Sequence, residues 1–309
     1  MANKIGILLT NLGTPEAPTE AAVRSYLAEF LSDPRIVPLP KVLWWPILHG
    51  IILRTRPKRS AHAYQKIWTA EGSPLLVITQ RQAQALQKVL GDDYVVAVGM
   101  RYGKPSLAEA LAQLRAAQVS EIKVLPLYPQ FSYATTQSTL DQLPKDISAI
   151  CCYYNEPIYI QALAESVQQH WQNHGRADVL LMSYHGLPQS SIKRGDPYYD
   201  HCLETSRLLA KALQLNKAQY RVTFQSRVGK QKWLQPYTDV TLRELPQQGV
   251  SSVQVICPGF SADCLETLEE IDMQNRAFFL EAGGQRFEYI PALNDAPAHV
   301  KLMQALLTQ

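Results

Sequence analysis

Three acidic residues stand close together late in the chain, in the stretch PGFSADCLETLEEID at residues 258–272. Asp263, Glu266 and Glu270 lie three and four positions apart, so an α-helix would place their carboxylates along one face. Like charges at this spacing repel each other. Such a row is typical either of an acidic helix start that faces water or of a site that binds a metal ion or accepts protons, and the stretch alone leaves both open.

A histidine is the second group that could do chemistry. His185 follows a predicted strand at 178–184 and precedes Gly186-Leu187-Pro188, a tight exit that predicts an imidazole fixed at the carboxyl edge of a sheet. The acidic helix is predicted to start after another strand of the same half, and ligands of parallel sheets bind at this edge. A histidine nitrogen with carboxylates is a donor set that ferrous iron accepts. His201, in YYDHC, remains a weaker candidate.

Helical patterns alternate with short apolar runs along the chain, which predicts a parallel α/β fold. We predict four strands in each half, at 5–10, 94–100, 121–125, 147–151, 178–184, 221–225, 252–257 and 287–290. Helices are predicted at 20–31, 58–68, 74–90, 107–117, 135–143, 158–174, 197–213, 239–245, 264–282 and 297–307.

The two halves also repeat each other. ILLTNLGTP resembles LLMSYHGLP, RYG resembles RVG, and PLYPQFS resembles ICPGFS, in the same order and each after a predicted strand. This order favours a duplicated α/β domain. We expect an N-terminal domain over residues 1–150 and a C-terminal domain over 151–309, with the last helix, about 296–309, as a candidate to pack back on the first domain.

Composition excludes several classes of protein. With 309 residues, 46% of them hydrophobic and 18% charged, the chain is expected to fold into two globular domains. A net charge of +3 without a long basic run disfavours nucleic acid as a partner. Five cysteines without a CxxC pair indicate a reducing compartment, and we expect a cytoplasmic protein. GxGxxG, GxSxG and HExxH are absent, which disfavours nucleotide-binding, serine hydrolase and zincin chemistry.

The first half carries an extra segment at 34–72 that contains the apolar run LWWPILHGIIL. This run is far shorter than the ~20 residues that span a bilayer. Basic residues follow it, a pattern that suits either peripheral contact with the inner face of a membrane or a mouth that grips a flat apolar ligand with acidic tails. A helical hairpin packed on the core and a dimer contact are the alternatives. The residues predicted to face the membrane or ligand are Leu43, Trp44, Trp45, Ile47 and Leu48.

These motifs together resemble the ferrochelatases, which insert ferrous iron into a porphyrin at the end of haem synthesis. The resemblance runs nearly end to end, through NLGTPE, EGSPL, RYG, YPQFS, SYHGLP, SRVG and FSADCLETLEEID. It implies two Rossmann-like domains, each a four-stranded parallel sheet flanked by helices, related by pseudo-two-fold duplication and with a porphyrin cleft between them. It also implies conversion of protoporphyrin IX to protohaem with release of two protons.

The resemblance assigns roles to matching positions. It implies that His185 and Glu266 are the catalytic pair and that Asp263 and Glu270 extend an acidic path, so that all four are candidate iron ligands. Which of His185 and Glu266 takes a pyrrole proton and which handles iron stays open. The residues implied in porphyrin binding are Leu12, Arg101, Tyr102, Tyr128 and Trp233.

Three features depart from the pattern of some family members. Cys264 stands where animal ferrochelatases usually carry a histidine, which puts an accessory ligand role there in doubt. No cysteine-bearing tail follows, so we expect no iron-sulfur cluster and no permanently bound cofactor. Leu12 is apolar where the branch that acts on coproporphyrin tends to have Tyr, which favours protoporphyrin.

Two other functions remain compatible with these residues. A non-catalytic haem or porphyrin carrier would also need an apolar cleft and a histidine, but it has no use for a row of carboxylates. A cobalt or nickel chelatase on the same fold would use the same residues. The expected partners are protoporphyrin and ferrous iron, and the oligomeric state stays open.

Overall fold

A computed structural model describes residues 4–229 and 231–308. In this part of the chain, eight strands form two four-stranded parallel sheets. The strands are β1 (Ile5–Thr14), β2 (Tyr94–Gly103), β3 (Glu121–Pro126), β4 (Ser148–Ala149), β5 (Val179–His185), β6 (Tyr220–Gln225), β7 (Ser252–Ile256) and β8 (Arg286–Ile290). Each of the eight predicted strands is confirmed, with ends shifted by a few residues.

Helices connect the strands. The α-helices are α1 (Glu20–Leu31), α2 (Lys41–Ile47), α3 (Leu53–Ile67), α4 (Pro74–Leu90), α5 (Leu107–Ala116), α6 (Ser138–Leu140), α7 (Pro157–His174), α8 (Gln189–Lys193), α9 (Tyr198–Ala212), α10 (Thr238–Glu244), α11 (Arg276–Glu281) and α12 (Pro297–Leu307). π-Helical segments occur at Leu48–Ile52, Tyr133–Gln137 and Glu266–Asn275, and a short 3₁₀ turn at Pro246–Gln248. The predicted helices did not include α2 and α8, although a helical hairpin was one alternative for the segment that contains α2. Gln309, in the range predicted for the last helix, lies outside the described residues.

The two sheets have the same strand order. The first runs β2-β1-β3-β4 and the second β6-β5-β7-β8, so each half places its first strand beside its second and third. This correspondence confirms the duplicated α/β architecture that the repeated motifs predict. The predicted site motifs lie where the strands end, since Gly13 pairs with Tyr102 and His185 pairs with Gln225.

Each sheet is buried on both faces, as expected for parallel strands covered by helices. Ile7, Leu8 and Leu9 are successive residues of β1 and all are 0% exposed. In the second sheet, Leu181 of β5 packs in one cluster with Phe279 of α11. These packed strands provide a rigid base for the side chains at their carboxyl ends.

The described residues divide into two compact units. The first contains the residues up to 127 together with 132–151 and those from 303 onward, and the second contains 128–131 and 152–302. Within the first unit, the Lys123 ammonium donates to the Leu307 carbonyl oxygen at 3.0 Å. This bond ties the end of α12 to β3.

The extra segment of the first half is helical. α2 and a π-helical turn precede α3, which begins at Leu53 and so earlier than the predicted helix at 58–68. Val42 is 84% exposed, and Leu43 and Trp45 are 63% exposed. None of the helices that the structure describes is both long enough and apolar enough to cross a membrane.

Two residues of this segment face the protein instead of the outside. The prediction that Leu48 lies on the exposed face is wrong, because its side chain is 1% exposed. Trp44 is half-buried, and its indole N–H donates to the Leu31 carbonyl oxygen at 2.7 Å. The exposed apolar surface therefore consists of Leu39, Val42, Leu43, Trp45, Ile47 and Ile51, and we call it the lip.

Candidate active site

His185 is the last residue of β5, and its ring is oriented by its own neighbour. Its Nδ1 lies 2.7 Å from the Gly186 carbonyl oxygen. Because a carbonyl oxygen only accepts hydrogen bonds, Nδ1 carries the proton and the neutral ring keeps Nε2 as its basic nitrogen. The tight exit after the strand needs glycine, since a Cβ on Gly186 would lie 2.7 Å from the Gln225 carbonyl oxygen. The local sequence thus provides an oriented base at the sheet edge.

The acidic stretch is helical, as predicted, but its first part is not an α-helix. Glu266–Asn275 is a π-helical segment, in which backbone hydrogen bonds span five residues, and α11 continues it. π-Helical turns occur frequently at functional sites. Glu266 and Glu270 both lie on this segment, so the structure keeps these two carboxylates as neighbours.

Several neighbours of Glu270 shift the pKa of its carboxyl in opposite directions. Burial raises the pKa of its carboxyl above the ordinary value and hydrogen bonds from Ser226 lower it; the positive charge that His185 carries when protonated lowers it as well, and the Glu266 carboxylate raises it. The net direction is upward. His185, Glu266 and Glu270 therefore form one electrostatically linked group in the second unit, with a carboxyl group that takes up a proton more readily than an exposed glutamate does.

Asp263 does not belong to the row of carboxylates on the helix. It precedes the π-helical segment, and its carboxylate accepts hydrogen bonds from the Tyr289 hydroxyl at 2.6 Å, the Asn294 side-chain amide at 2.8 Å and the Thr267 hydroxyl at 3.0 Å. The prediction that three carboxylates stack along one helix face is therefore wrong for Asp263. Its oxygens thus connect β8 and the segment after it to the start of the acidic stretch.

Two buried thiols lie near these carboxylates. Burial raises the pKa of Cys264 well above its ordinary value, and the neighbouring Glu266 carboxylate raises it further. Burial likewise raises the pKa of Cys257, which lies near Asp263 and Glu270. Both thiols are therefore protonated at neutral pH, and Cys264 is a neutral neighbour of Glu266 and not a thiolate.

Two residues that the sequence patterns did not single out contact the acidic group. The Gln225 side-chain amide donates to the Glu266 carbonyl oxygen at 2.8 Å, and the Ser226 backbone N–H donates to the Glu270 carboxylate at 2.7 Å. Their place at the end of the predicted strand 221–225, in the same half as His185, was the signal that could have identified them.

Arg101 and Tyr102 lie at the end of β2 in the first unit, and both bind Asp33. The Asp33 carboxylate accepts from the Arg101 guanidinium at 2.5 Å, the Ser138 hydroxyl at 2.6 Å and the Tyr102 hydroxyl at 2.7 Å. Tyr102 is 1% exposed, and burial raises the pKa of its hydroxyl above the ordinary value. Sequence patterns missed Asp33, the hub of this network. A cavity of about 550 Å³ is lined partly by Asp33, Arg101 and Tyr102.

The other predicted porphyrin-binding residues occupy different settings. Leu12 is half-buried near the end of β1, and Tyr128 is buried. Trp233 is half-buried beside Gly186, with its indole N–H donating to the Val228 carbonyl oxygen at 2.8 Å. Trp233 is thus the aromatic side chain of this set that lies next to the His185 exit.

His201 has a structural partner. Its Nδ1 accepts the Phe131 backbone N–H at 3.2 Å, and its ring stacks on Tyr154 with ring centroids 3.7 Å apart. Among the residues that the structure describes, no group of three or more histidine, cysteine, aspartate or glutamate side chains is arranged to hold a metal ion. The four candidate iron ligands are therefore not a preassembled cage.

Comparisons with known proteins agree with the fold and the motifs. The sirohydrochlorin chelatase SirB of Bacillus subtilis subspecies spizizenii, solved in complex with cobalt, has a TM-score of 0.52 at 12% identity, covering 99% of this chain and 95% of that chain. At this identity the likeness concerns the fold alone.

Sequence relatives are much closer. The ferrochelatase of Idiomarina loihiensis is 53% identical, covering 99% of this chain and 88% of the relative, and that of Pseudoalteromonas atlantica is 53% identical, covering 99% and 89%. A family model described as Ferrochelatase matches residues 4–309. The chain belongs to the ferrochelatase family.

Proposed function

We propose that the protein inserts ferrous iron into protoporphyrin IX and releases two protons, which makes it a metal chelatase of the lyase class. The observation that carries the proposal is the group of His185, Glu266 and Glu270, in which a basic imidazole nitrogen lies near the carboxyl of the half-buried Glu270, whose pKa is raised. Membership of the ferrochelatase family supports the same reaction.

The reaction needs groups that accept protons and replace the water around iron. His185 Nε2 takes a pyrrole proton, because Nδ1 donates to the Gly186 carbonyl oxygen and Nε2 is then the nitrogen of the neutral ring that can accept one. Glu266 and Glu270 receive the second proton or exchange carboxylate oxygen for water around the incoming iron. Asp263 contributes by holding the start of the acidic stretch, since its oxygens are engaged by Tyr289, Asn294 and Thr267.

Porphyrin binding is proposed for Leu12, Arg101, Tyr102, Tyr128 and Trp233. Arg101 and Tyr102 act through the network centred on Asp33, and Trp233 offers an aromatic surface next to the His185 exit. The apolar side chain of Leu12 favours protoporphyrin over coproporphyrin. Comparing kcat/KM for the two porphyrins tests this choice: a higher value for coproporphyrin would contradict it.

The experiment that tests the function is anaerobic iron insertion followed by absorbance. The wild-type protein should accelerate insertion over the protein-free reaction, and His185→Ala and Glu266→Gln should each lose at least about 100-fold in kcat, the lower end of the usual contribution of proton transfer. His62→Ala, at an exposed position of α3, is the matched control. A haem carrier would bind porphyrin without any acceleration, and faster insertion of cobalt or nickel than of iron would favour the other chelatases.

We further propose that the lip contacts the surface of an anionic membrane. The exposed Leu43 and Trp45 lie a short distance in sequence before the exposed cations Arg54, Lys58 and Arg59, which suits apolar insertion next to acidic headgroups. Cosedimentation with vesicles containing phosphatidylglycerol should exceed that with phosphatidylcholine vesicles and should fall with salt. Leu43→Ser with Trp45→Ser should abolish it, and unchanged binding by this double variant would contradict the contact.

A further inference from the structure

The turn that follows β6 connects three parts of the second unit. Gln225, the last residue of β6, is 3% exposed, and both ends of its side-chain amide are bonded. Its oxygen accepts the Ser183 hydroxyl at 2.8 Å, and its nitrogen donates to the Glu266 carbonyl oxygen at 2.8 Å and lies 3.4 Å from a Glu270 carboxylate oxygen. One buried side chain therefore links β5 to the first turn of the π-helical segment.

The next residue contacts the Glu270 carboxylate twice. The Ser226 backbone N–H donates to one oxygen at 2.7 Å and the hydroxyl donates to the other at 2.5 Å. Ser226 has φ of 64°, a left-handed conformation that is uncommon for a residue with a Cβ. This unfavourable backbone conformation directs both donors at a single carboxylate.

The same turn also contacts the end of β5, where His185 and Gly186 lie. Gln225 pairs with His185 in the sheet, and its carbonyl oxygen accepts the Gly186 backbone N–H at 2.8 Å. The Gly186 backbone, whose carbonyl orients the imidazole, is thus hydrogen-bonded to the same two-residue segment that supplies the donors to the Glu270 carboxylate.

We propose that Gln225 and Ser226 are positioning residues for iron insertion, which hold the Glu270 carboxylate and the first turn of the π-helical segment in a fixed orientation beside His185. The inference rests on the proposed function. Neither side chain acts on the substrate itself, so their contribution appears in kcat and not in porphyrin affinity. A carboxylate that lost its donors would adopt several orientations, of which few place it for the reaction.

Two variants of Ser226 separate this role from a structural one. Ser226→Gly keeps the backbone N–H, suits a positive φ and removes the hydroxyl together with its Cβ. Ser226→Ala removes the same hydroxyl but keeps a Cβ in the left-handed conformation. We expect both to lower kcat about 10-fold, the effect of losing one hydrogen bond to a charged group, while porphyrin Kd from fluorescence quenching stays unchanged. Tm should be maintained or raised in the glycine variant and lower in the alanine variant.

A matched control is available in the first unit. Gln118 is exposed and has φ of 55°. Gln118→Gly therefore relieves a left-handed backbone conformation as Ser226→Gly does, but at a position distant in sequence from Ser226, and it should leave kcat unchanged. Gln225→Glu keeps the size of the side chain but replaces the donor with a carboxylate facing Glu270, and it should lower kcat at least as much as Ser226→Gly.

The results that would overturn the inference are specific. A wild-type kcat in Ser226→Gly would show that the hydroxyl has no positioning role. So would a kcat that falls only in Ser226→Ala, the variant expected to have the lower Tm. Wild-type kcat in Gln225→Glu removes the role of Gln225. A wild-type protein that does not accelerate iron insertion overturns the proposed function and this inference with it, whereas an active wild type with a fully active Ser226→Gly overturns the inference alone.

Discussion

The Arg101 guanidinium and the Asp33 carboxylate lie 2.5 Å apart with side chains only 13% and 5% exposed. Ser138 and Tyr102 also donate to the same carboxylate, so the pair belongs to a satisfied polar network in the first unit. Removing one partner of a buried pair leaves the other charge uncompensated, which costs more than the pair contributes.

Replacing Asp33 with alanine should therefore destabilise the protein by about 3–5 kcal/mol. The measurement is the free energy of unfolding in urea. Glu20→Ala is the control, because Glu20 and Arg24 are also 2.5 Å apart but about half-exposed, and its loss should cost below about 1 kcal/mol. Equal effects of the two substitutions would show that burial of the Asp33 pair has no energetic consequence.

Gly186→Ala should impair both stability and activity. Its new Cβ would lie 2.7 Å from the Gln225 carbonyl oxygen and 3.3 Å from the Trp233 ring, so the strand exit must shift. We expect a loss of about 1–3 kcal/mol in unfolding free energy and a fall in kcat of about 100-fold, because His185 is displaced with its neighbour.

Thermal unfolding and iron insertion rates check this expectation. Gly50→Ala is the control, since among the described residues no atom beyond its own chain neighbours and helix backbone lies within 4 Å of its added Cβ. An alanine variant at position 186 with wild-type kcat would contradict the view that this exit orients the imidazole.

His299 should make the protein sensitive to acid. Its side chain is 1% exposed, and burial lowers the pKa of the imidazole from 6.5 to about 4. Below pH 6.5 the unfolded chain binds a proton that the folded chain does not, so the stability contributed by neutral His299 is present above pH 6.5 and is lost as the pH falls toward 4. The loss should reach about 3 kcal/mol, at about 1.4 kcal/mol per pH unit.

The measurement compares the pH dependence of urea unfolding in wild type and His299→Gln. The variant is expected to be less stable at neutral pH and to show a shallower loss in acid, and the difference between the two curves isolates His299 from the other titrating groups. His62→Gln, at an exposed position, should keep the wild-type slope. Parallel curves for wild type and His299→Gln would count against this role.

Two leucines of the helical segment before α3 should differ in how much their replacement destabilises the protein. Leu48→Ala should cost about 2–5 kcal/mol because the side chain is 1% exposed, whereas Leu43→Ala should stay within about 0.5 kcal/mol because that side chain is 63% exposed. Denaturant midpoints decide between them. Comparable losses in both variants would place Leu43 in a buried contact.

Much of the fold could be predicted from local sequence signals. Short apolar runs rich in β-branched residues gave the strands, and the helices at Glu20–Leu31, Pro74–Leu90 and Pro297–Leu307 were predicted with the observed ends. Repeated motifs predicted the duplication that the matching strand orders confirm. α2 escaped prediction because Pro46 interrupts its apolar run, although proline is found inside this helix.

The candidate site was predicted in part. His185, Glu266 and Glu270 could be chosen because strand ends and helical spacing are local features, and the structure brings these three together. Asp263 could not be separated from them, because its partners Tyr289 and Asn294 lie 26 and 31 residues further along the chain. The π-helical form of the acidic segment likewise has no marker in residue spacing.

By itself, the sequence determined the parallel α/β class, the duplication, the strand ends that carry the site motifs and the family resemblance, because apolar periodicity, turn residues and short motifs act over a few residues. Only the tertiary structure decided that Asp263 lies outside the π-helical segment that carries Glu266 and Glu270, that Leu48 is buried, and that Ser226 binds Glu270, 44 residues away. These outcomes depend on hydrogen bonds and packing between distant segments, which chain spacing does not encode.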